Sequence, residues 1–346
     1  MSWYLTTNQI RRLQIELTNY CNAACPLCDR ENLTKEQLNN TAISFEKIRS
    51  IITNDDWSDL NQIHFCGNYD EPTVHPDCMD IIKWLIENTS PKTEIRIASN
   101  GGTRDESFWK ELGKLSDKYR MNHKDNERSR VAVIFGIDGL EDTNHIYRKN
   151  VRWDHLKRNF ECYIENGGHA EWQFICFEHN IHQLDKVQKL AKKWNFKKFK
   201  LINTFRDVDQ HQDDVIPVDV SNKFENEDLK EEKQRSLSRI DCKALDKESA
   251  LDRSLFINHL GVVTPCCWMG TIDQMNKTKR LWVSYDTDIN NINKYEKMSD
   301  LLKSKFFLFL KGSIEKQYNP TCLHHCKTKG KLRSKDTYLF DSTLKS

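Results

Sequence analysis

The stretch Leu13-Gln14-Ile15-Glu16-Leu17-Thr18-Asn19-Tyr20-Cys21-Asn22-Ala23-Ala24-Cys25-Pro26-Leu27-Cys28 decides how the chain is read. Leu13–Leu17 is a short apolar run of strand length. It leads into a loop whose three cysteines are separated by three and then two residues. Thiolates at that spacing can close around one face of a cubane iron–sulfur cluster. Such clusters are ordinarily held by four cysteines. Three ligands leave one iron open, as a catalytic zinc site keeps an open position. A substrate or cofactor bound there could receive an electron. A zinc knuckle or a disulfide set is the plainer reading of the same cysteines.

Outward from this loop, short apolar runs alternate with longer amphipathic stretches as far as Ile202. Strands are predicted over Leu13–Leu17, Gln62–Cys66, Glu94–Ala98, Val131–Ile137, Glu171–Phe177 and Phe199–Ile202. Helices are predicted over Phe45–Ile52, Asp77–Asn88, Ser107–Lys118, Trp153–Asn166 and Gln183–Trp194, with apolar residues at three- and four-residue spacing. That alternation argues for βα units and an α/β fold with a parallel sheet. Six strands are too few for a closed eight-stranded barrel but suit a partial one. The loop from Thr18 to about Ser44 is long, and long loops in compact domains are commonly functional. It also follows the C-terminal end of a strand, where parallel α/β sheets place their ligands.

A chain of 346 residues carries a prior of about two domains. The net charge of +2 gives no broad field for nucleic acid or an acidic membrane. The basic run Lys192–Lys200 reads as a solvated helix–strand connection. The apolar stretch Phe306–Leu310 falls far short of the ~20 residues that span a bilayer. Nothing at the N-terminus resembles a signal peptide. A soluble, cytoplasmic protein is expected. Of 12 cysteines, Cys66, Cys78, Cys162, Cys176 and Cys267 are scattered, and the rest fall into two groups with ligand-like spacing. Residues 206–241 read as a charged linker, 242–330 as a second block and 331–346 as a loosely held tail.

With Leu17-Thr18-Asn19-Tyr20-Cys21-Asn22 as its entry, the cysteine loop resembles that of the radical S-adenosylmethionine (radical SAM) superfamily. The resemblance implies a partial (βα)6 TIM-type barrel over residues 1–205. It also implies a [4Fe–4S] cluster on Cys21, Cys25 and Cys28, whose open iron chelates the amino and carboxylate groups of SAM. Gly67-Asn68-Tyr69-Asp70-Glu71-Pro72-Thr73-Val74-His75-Pro76-Asp77 resembles the family's GGEP segment. Tyr69, Asp70, Glu71 and Pro72 are thereby expected beside the SAM amino group. Asp70 stands where the family usually has glycine, so either the backbone approaches the ligand less closely or Asp70 adds an acceptor. Ser99 and Asn100, in Ala98-Ser99-Asn100-Gly101-Gly102, are similar to the family's T-N-G and suit a ribose or carboxylate. Phe135-Gly136-Ile137-Asp138-Gly139-Leu140, with His145 and Arg148 beyond it, resembles S-x-D-G with a downstream H and R. Asp138 and Arg148 are expected at the cofactor, and Gly136 replaces the usual serine. Asn180 and Asn203 are further candidates for the adenosine pocket.

The second cysteine group is Cys242, Cys266, Cys322 and Cys326. Ser254–Asn258 and Val262–Thr264 read independently as strands flanking a turn at His259–Gly261. The set resembles the auxiliary-cluster extension of SPASM/Twitch enzymes, which implies a smaller C-terminal domain with a second [4Fe–4S] cluster. Cys267 competes with Cys266 as the ligand, and four thiolates would equally suit zinc.

The resemblance implies reductive cleavage of SAM to a 5′-deoxyadenosyl radical, an electron donor of flavodoxin or ferredoxin type, and a peptide or small-molecule substrate. About twelve residues precede the first strand, which leans against an N-terminal leader-recognition module. The alternative is a non-catalytic iron–sulfur electron carrier or scaffold.

Overall fold

The computed structural model describes residues 6–123, 126–202, 215–218, 244, 253–271, 289–316, 319, 321–322 and 337–341. All six predicted parallel strands form. Together with an unforeseen polar hairpin, they are β1 (Arg12–Ile15), β2 (Gln62–Phe65), β3 (Glu94–Ser99), β4 (Arg120–His123), β5 (Asn126–Ser129), β6 (Val131–Gly136), β7 (His169–Ile175) and β8 (Lys198–Ile202). The helices are α1 (Phe45–Thr53), α2 (Cys78–Asn88), α3 (Glu106–Lys118), a short α4 (Asn144–Tyr147), α5 (Trp153–Glu165) and α6 (Leu184–Lys193).

Local chemistry sets their ends. Ser44 Oγ accepts from Lys47 N at 3.2 Å to start α1, and Asp105 Oδ1 accepts from Phe108 N at 3.2 Å to start α3. The last turn of α2 is closed by Arg130, which donates to Ile86 O at 2.9 Å and Ser90 O at 2.9 Å.

With β9 (Ser254–Ile257), β10 (Val263–Thr264) and β11 (Thr337–Asp341) from the C-terminal part of the chain, the order in the main sheet is β10-β9-β1-β2-β3-β6-β7-β8-β11. Its middle runs in chain order, β1 to β8, with every neighbouring pair parallel. A doubly wound sheet reverses direction at a switch point. Here the order never reverses, and the right-handed crossovers usual between parallel strands place successive helices on one face of such a sheet. The strands therefore form one continuous wall, with β10 and β11 at its edges among the described residues.

Alternation along the strands separates two faces. Leu13, Ile15, Ile63, Phe65, Ile95 and Ile97 are fully buried under the helices. The opposite face carries half-buried Arg12, Gln14, Gln62, His64, Glu94 and Arg96. Arg96 pairs there with Glu171. Beneath the helices, Trp109 packs 5.4 Å from Phe135, and Trp172 stacks on Trp194 at 5.8 Å with planes 12° apart.

The C-terminal hairpin forms as read, with β9 (Ser254–Ile257) antiparallel to β10 (Val263–Thr264). What periodicity could not supply is its neighbour: β9 lies parallel to β1, with Arg12 opposite Ser254 and Ile15 opposite Ile257. Helices α7 (Met298–Leu301) and α8 (Lys305–Glu315) follow. Asp55 docks α7 by accepting from Met298 N at 2.6 Å and Ser299 N at 3.1 Å. Within the stretch read as a tail, β11 (Thr337–Asp341) pairs antiparallel with β8. Of the stretch read as a linker, residues 215–218 run beside the end of β7, where Val218 N donates to Cys176 O at 3.0 Å; the rest lies outside the described residues. No helix among the described residues is long and apolar enough to cross a membrane.

Candidate functional site

The cysteine loop leaves the C-terminal end of β1 and is pinned at both flanks. Asn19 N donates to Thr41 O at 3.0 Å, Ile43 N to Leu17 O at 3.0 Å, and Ala24 N to Lys149 O at 3.1 Å. Each thiol meets a different part of the wall. Cys21 Sγ lies 3.7 Å from Asn100 Nδ2, Cys25 Sγ 3.8 Å from Arg148 Nη1, and Cys28 Sγ 3.9 Å from Asn68 O. Burial pushes the Cys21 thiol up, with the charge of Glu71 adding to it. Cys25 rises to about 11, burial outweighing the nearby Arg148 cation. A metal that stabilises the thiolates would therefore displace protons on binding.

Among the described residues no three His, Cys, Asp or Glu side chains gather so as to hold a single ion. Cluster ligands bind separate irons and need only surround the cluster. Three soft thiolates spread around one mouth fit that group.

Glu71 ties the ends of β2 and β3 together. Its Oε1 accepts from Ser99 Oγ at 2.7 Å and Thr73 Oγ1 at 2.7 Å, and its Oε2 accepts from Asn100 N at 2.6 Å. Burial raises the carboxyl, and these donors work against the rise. Pro72 opens a short helical turn, Pro72–Val74, directly behind it. Asp70 faces inward: Oδ1 accepts from Gly67 N at 2.7 Å and Oδ2 from Leu17 N at 3.0 Å. It braces the segment against β1, with both oxygens engaged.

Across the mouth, Asp138 is fully buried, and its Oδ2 accepts from Arg148 Nε at 2.6 Å while Oδ1 accepts from Ile175 N at 2.6 Å. Burial raises its carboxyl despite Arg148. Asn180 spends its amide on Asp138 O and Ile175 O, both at 2.9 Å, so it holds the β6 and β7 ends together. Asn203 lies outside the described residues.

Two residues escaped the sequence reading. Glu16, fully buried, accepts from Asn68 N at 2.6 Å and Tyr69 N at 3.0 Å, and its other oxygen lies 2.5 Å from His259 Nδ1. A carboxylate inside an apolar strand run was the available signal for Glu16. His259 gave none beyond its place in a turn.

Of the second cysteine group, Cys242 and Cys326 lie outside the described residues, whereas Cys266 is half-buried and Cys322 buried. Burial raises the Cys267 thiol, and a hydrogen bond from Gln14 opposes that rise. Cys267 thus faces the polar side of β1.

No protein-family model matches the chain. A stretch of 106 residues is 29% identical to the tungsten-containing aldehyde ferredoxin oxidoreductase cofactor-modifying protein of Pyrococcus furiosus, covering 31% of this chain and only 28% of that protein. Among solved structures, Streptococcus suis SuiB bound to S-adenosylmethionine superposes with a TM-score of 0.53 at 16% identity, over 76% of this chain and 61% of SuiB. SuiB bound to the precursor peptide SuiA gives 0.53 at 15% identity, over 77% and 62%. Native anSMEcpe with bound AdoMet and Cp18Cys peptide gives 0.55 at 15% identity, over 89% and 83%. The chain therefore spans about three-fifths of SuiB, and at these identities the likeness is one of fold.

Proposed function

We propose that the chain is a radical SAM enzyme acting on a peptide, with a [4Fe–4S] cluster on Cys21, Cys25 and Cys28. One observation carries the reading: the three thiols meet Asn100, Arg148 and Asn68 O around a single mouth at the C-terminal ends of β1, β2, β3 and β6. The fold shared with SuiB and anSMEcpe, whose structures hold S-adenosylmethionine and peptides, supports it. When bound, the cluster would deliver an electron to the sulfonium of SAM, breaking a carbon–sulfur bond to yield the radical that removes hydrogen from substrate.

The chain's own residues hold and orient. Asp70 and Glu71 are engaged by protein donors. The SAM ammonium therefore falls to backbone carbonyls of the Gly67–Tyr69 segment, each with lone pairs to offer. Arg148, fixed by Asp138, presents a guanidinium suited to a carboxylate and to the Cys25 thiolate. A second cluster on Cys242, Cys266, Cys322 and Cys326, and an electron donor of flavodoxin or ferredoxin type, complete the proposal.

The inward turn of Asp70 and Glu71 favours a second reading, an iron–sulfur scaffold that does not cleave SAM. The two separate in one assay. Reduced, reconstituted protein given SAM yields 5′-deoxyadenosine if it is the enzyme, and Cys28→Ala abolishes the product. No product, together with no change in the cluster's paramagnetic spectrum on adding SAM, leaves the scaffold.

A further inference from the structure

We propose that His259, in the turn of the C-terminal hairpin, is a positioning residue for the Gly67–Asp70 segment and acts on it through Glu16. The two side chains are 243 residues apart in sequence, and only 4% and 0% of their side-chain surfaces are exposed. With the imidazole in its Nδ1–H tautomer, His259 donates to Glu16 Oε1. Glu16 Oε2 takes the amides of Asn68 and Tyr69 at 2.6 and 3.0 Å.

A β-carbon on Gly67 would lie 2.2 Å from Glu16 Cγ, so the segment closes directly over this carboxylate. A second tie runs the same way: Asn68 Nδ2 donates to Cys267 O at 3.0 Å, while Asn68 O lies 3.9 Å from Cys28 Sγ. Asn68 is thus held between the cysteine loop and the C-terminal block. Without the imidazole, Glu16 Oε1 is buried facing no other hydrogen-bond donor among the described contacts. An oxygen buried without its donor favours a turn of the side chain away from this position, and that turn loosens its hold on both amides. The hairpin and the segment order together.

The test compares the full-length chain with His259→Leu and with His259→Asn, whose amide Nδ2 can replace the Nδ1–H donor. Hydrogen exchange over residues 67–71 is measured without SAM, and SAM affinity is read from the perturbed spectrum of the reduced cluster. His259→Leu is expected to speed exchange over 67–71 and weaken SAM binding, each by at least about tenfold, as losses of supporting hydrogen bonds do. His259→Asn is expected to restore most of both. Unchanged exchange at 67–71 overturns the proposal, as does acceleration spread evenly over β2, β3 and α2. Should the leucine variant not fold, His259→Phe applies the same criterion, since it keeps a ring in the turn and removes the Nδ1–H. The SAM arm rests on the proposed function, but the exchange arm does not. A wild-type chain indifferent to SAM would sink that function and still leave exchange to judge His259.

Discussion

A β-carbon built on Gly136 would lie 2.5 Å from Arg148 Nη2. The serine hydroxyl missing from this strand end therefore leaves no gap, because a guanidinium fills the place. Arg148 is steered there by Asp138 and reaches Cys25 Sγ at 3.8 Å. The glycine and the arginine form one arrangement, in which the polar contact comes from position 148.

Gly136→Ser should push the Arg148 tip off Cys25. The displaced atoms end a flexible side chain, so the stability cost stays within about 1–2 kcal/mol. In the proposed cluster, a cation beside the Cys25 thiolate would favour the reduced, more negative state, so its loss should lower the midpoint potential. A potentiometric titration followed by electron paramagnetic resonance checks the sign; an unchanged or higher potential refutes the role given to Arg148.

Asp70 and Glu171 should give opposite pH slopes in the metal-free chain. At Asp70, burial and then the charge of Glu16 raise the carboxyl well above its ordinary 3.8. Its contribution is full below that value and is lost as pH rises through the folded-state value. At Glu171, burial raises the carboxyl, but His169, Arg96 and Lys198 outweigh it and hold it below the ordinary 4.5. Its contribution is full above 4.5 and is lost as pH falls. Asp70→Asn should flatten the decline toward alkaline pH, and Glu171→Gln the decline toward acid. Urea unfolding across pH reads both slopes.

The wall was legible because β1, β2, β3 and β8 alternate a fully buried residue with a polar one, a pattern that sequence displays directly. The long loop that carries the three cysteines was legible from its length and its place after β1. Three features were not. The strands β4 and β5 read Arg-Met-Asn-His and Asn-Glu-Arg-Ser, with no apolar face to betray them. The pairing of β9 with β1 is a choice of neighbour, and periodicity within Ser254–Ile257 carries no information about it. The inward turn of Asp70 depends on backbone donors at Gly67 and Leu17, which look alike in every sequence.

Two glycines in helices should respond oppositely to alanine. Helix propensity favours alanine by about 1 kcal/mol at either position. A β-carbon on Gly113 in α3 would lie 2.5 Å from Tyr163 O, a backbone atom of α5. Helix displacement costs about 1–3 kcal/mol, so Gly113→Ala should lower the urea midpoint. A β-carbon on Gly312 in α8 meets nothing within 4 Å. Gly312→Ala should therefore raise the midpoint, by up to about 1 kcal/mol in stability. Matching signs at the two sites would contradict the packing of α3 on α5.

Metal content separates the two cysteine groups. With a [4Fe–4S] cluster on each, anaerobically purified protein should hold about eight irons and eight labile sulfides per chain. Zinc in the second group would leave about four irons and one equivalent of zinc. Cys322 is buried at 4% exposure, on a segment remote in sequence from Cys21, Cys25 and Cys28. Cys322→Ala should accordingly halve the iron while the first cluster keeps its response to SAM. Cys28→Ala should remove that response and leave the second metal in place. If either substitution emptied both groups, the two sites would be one interdependent unit, and the division of the cysteines into separate ligand sets would be wrong.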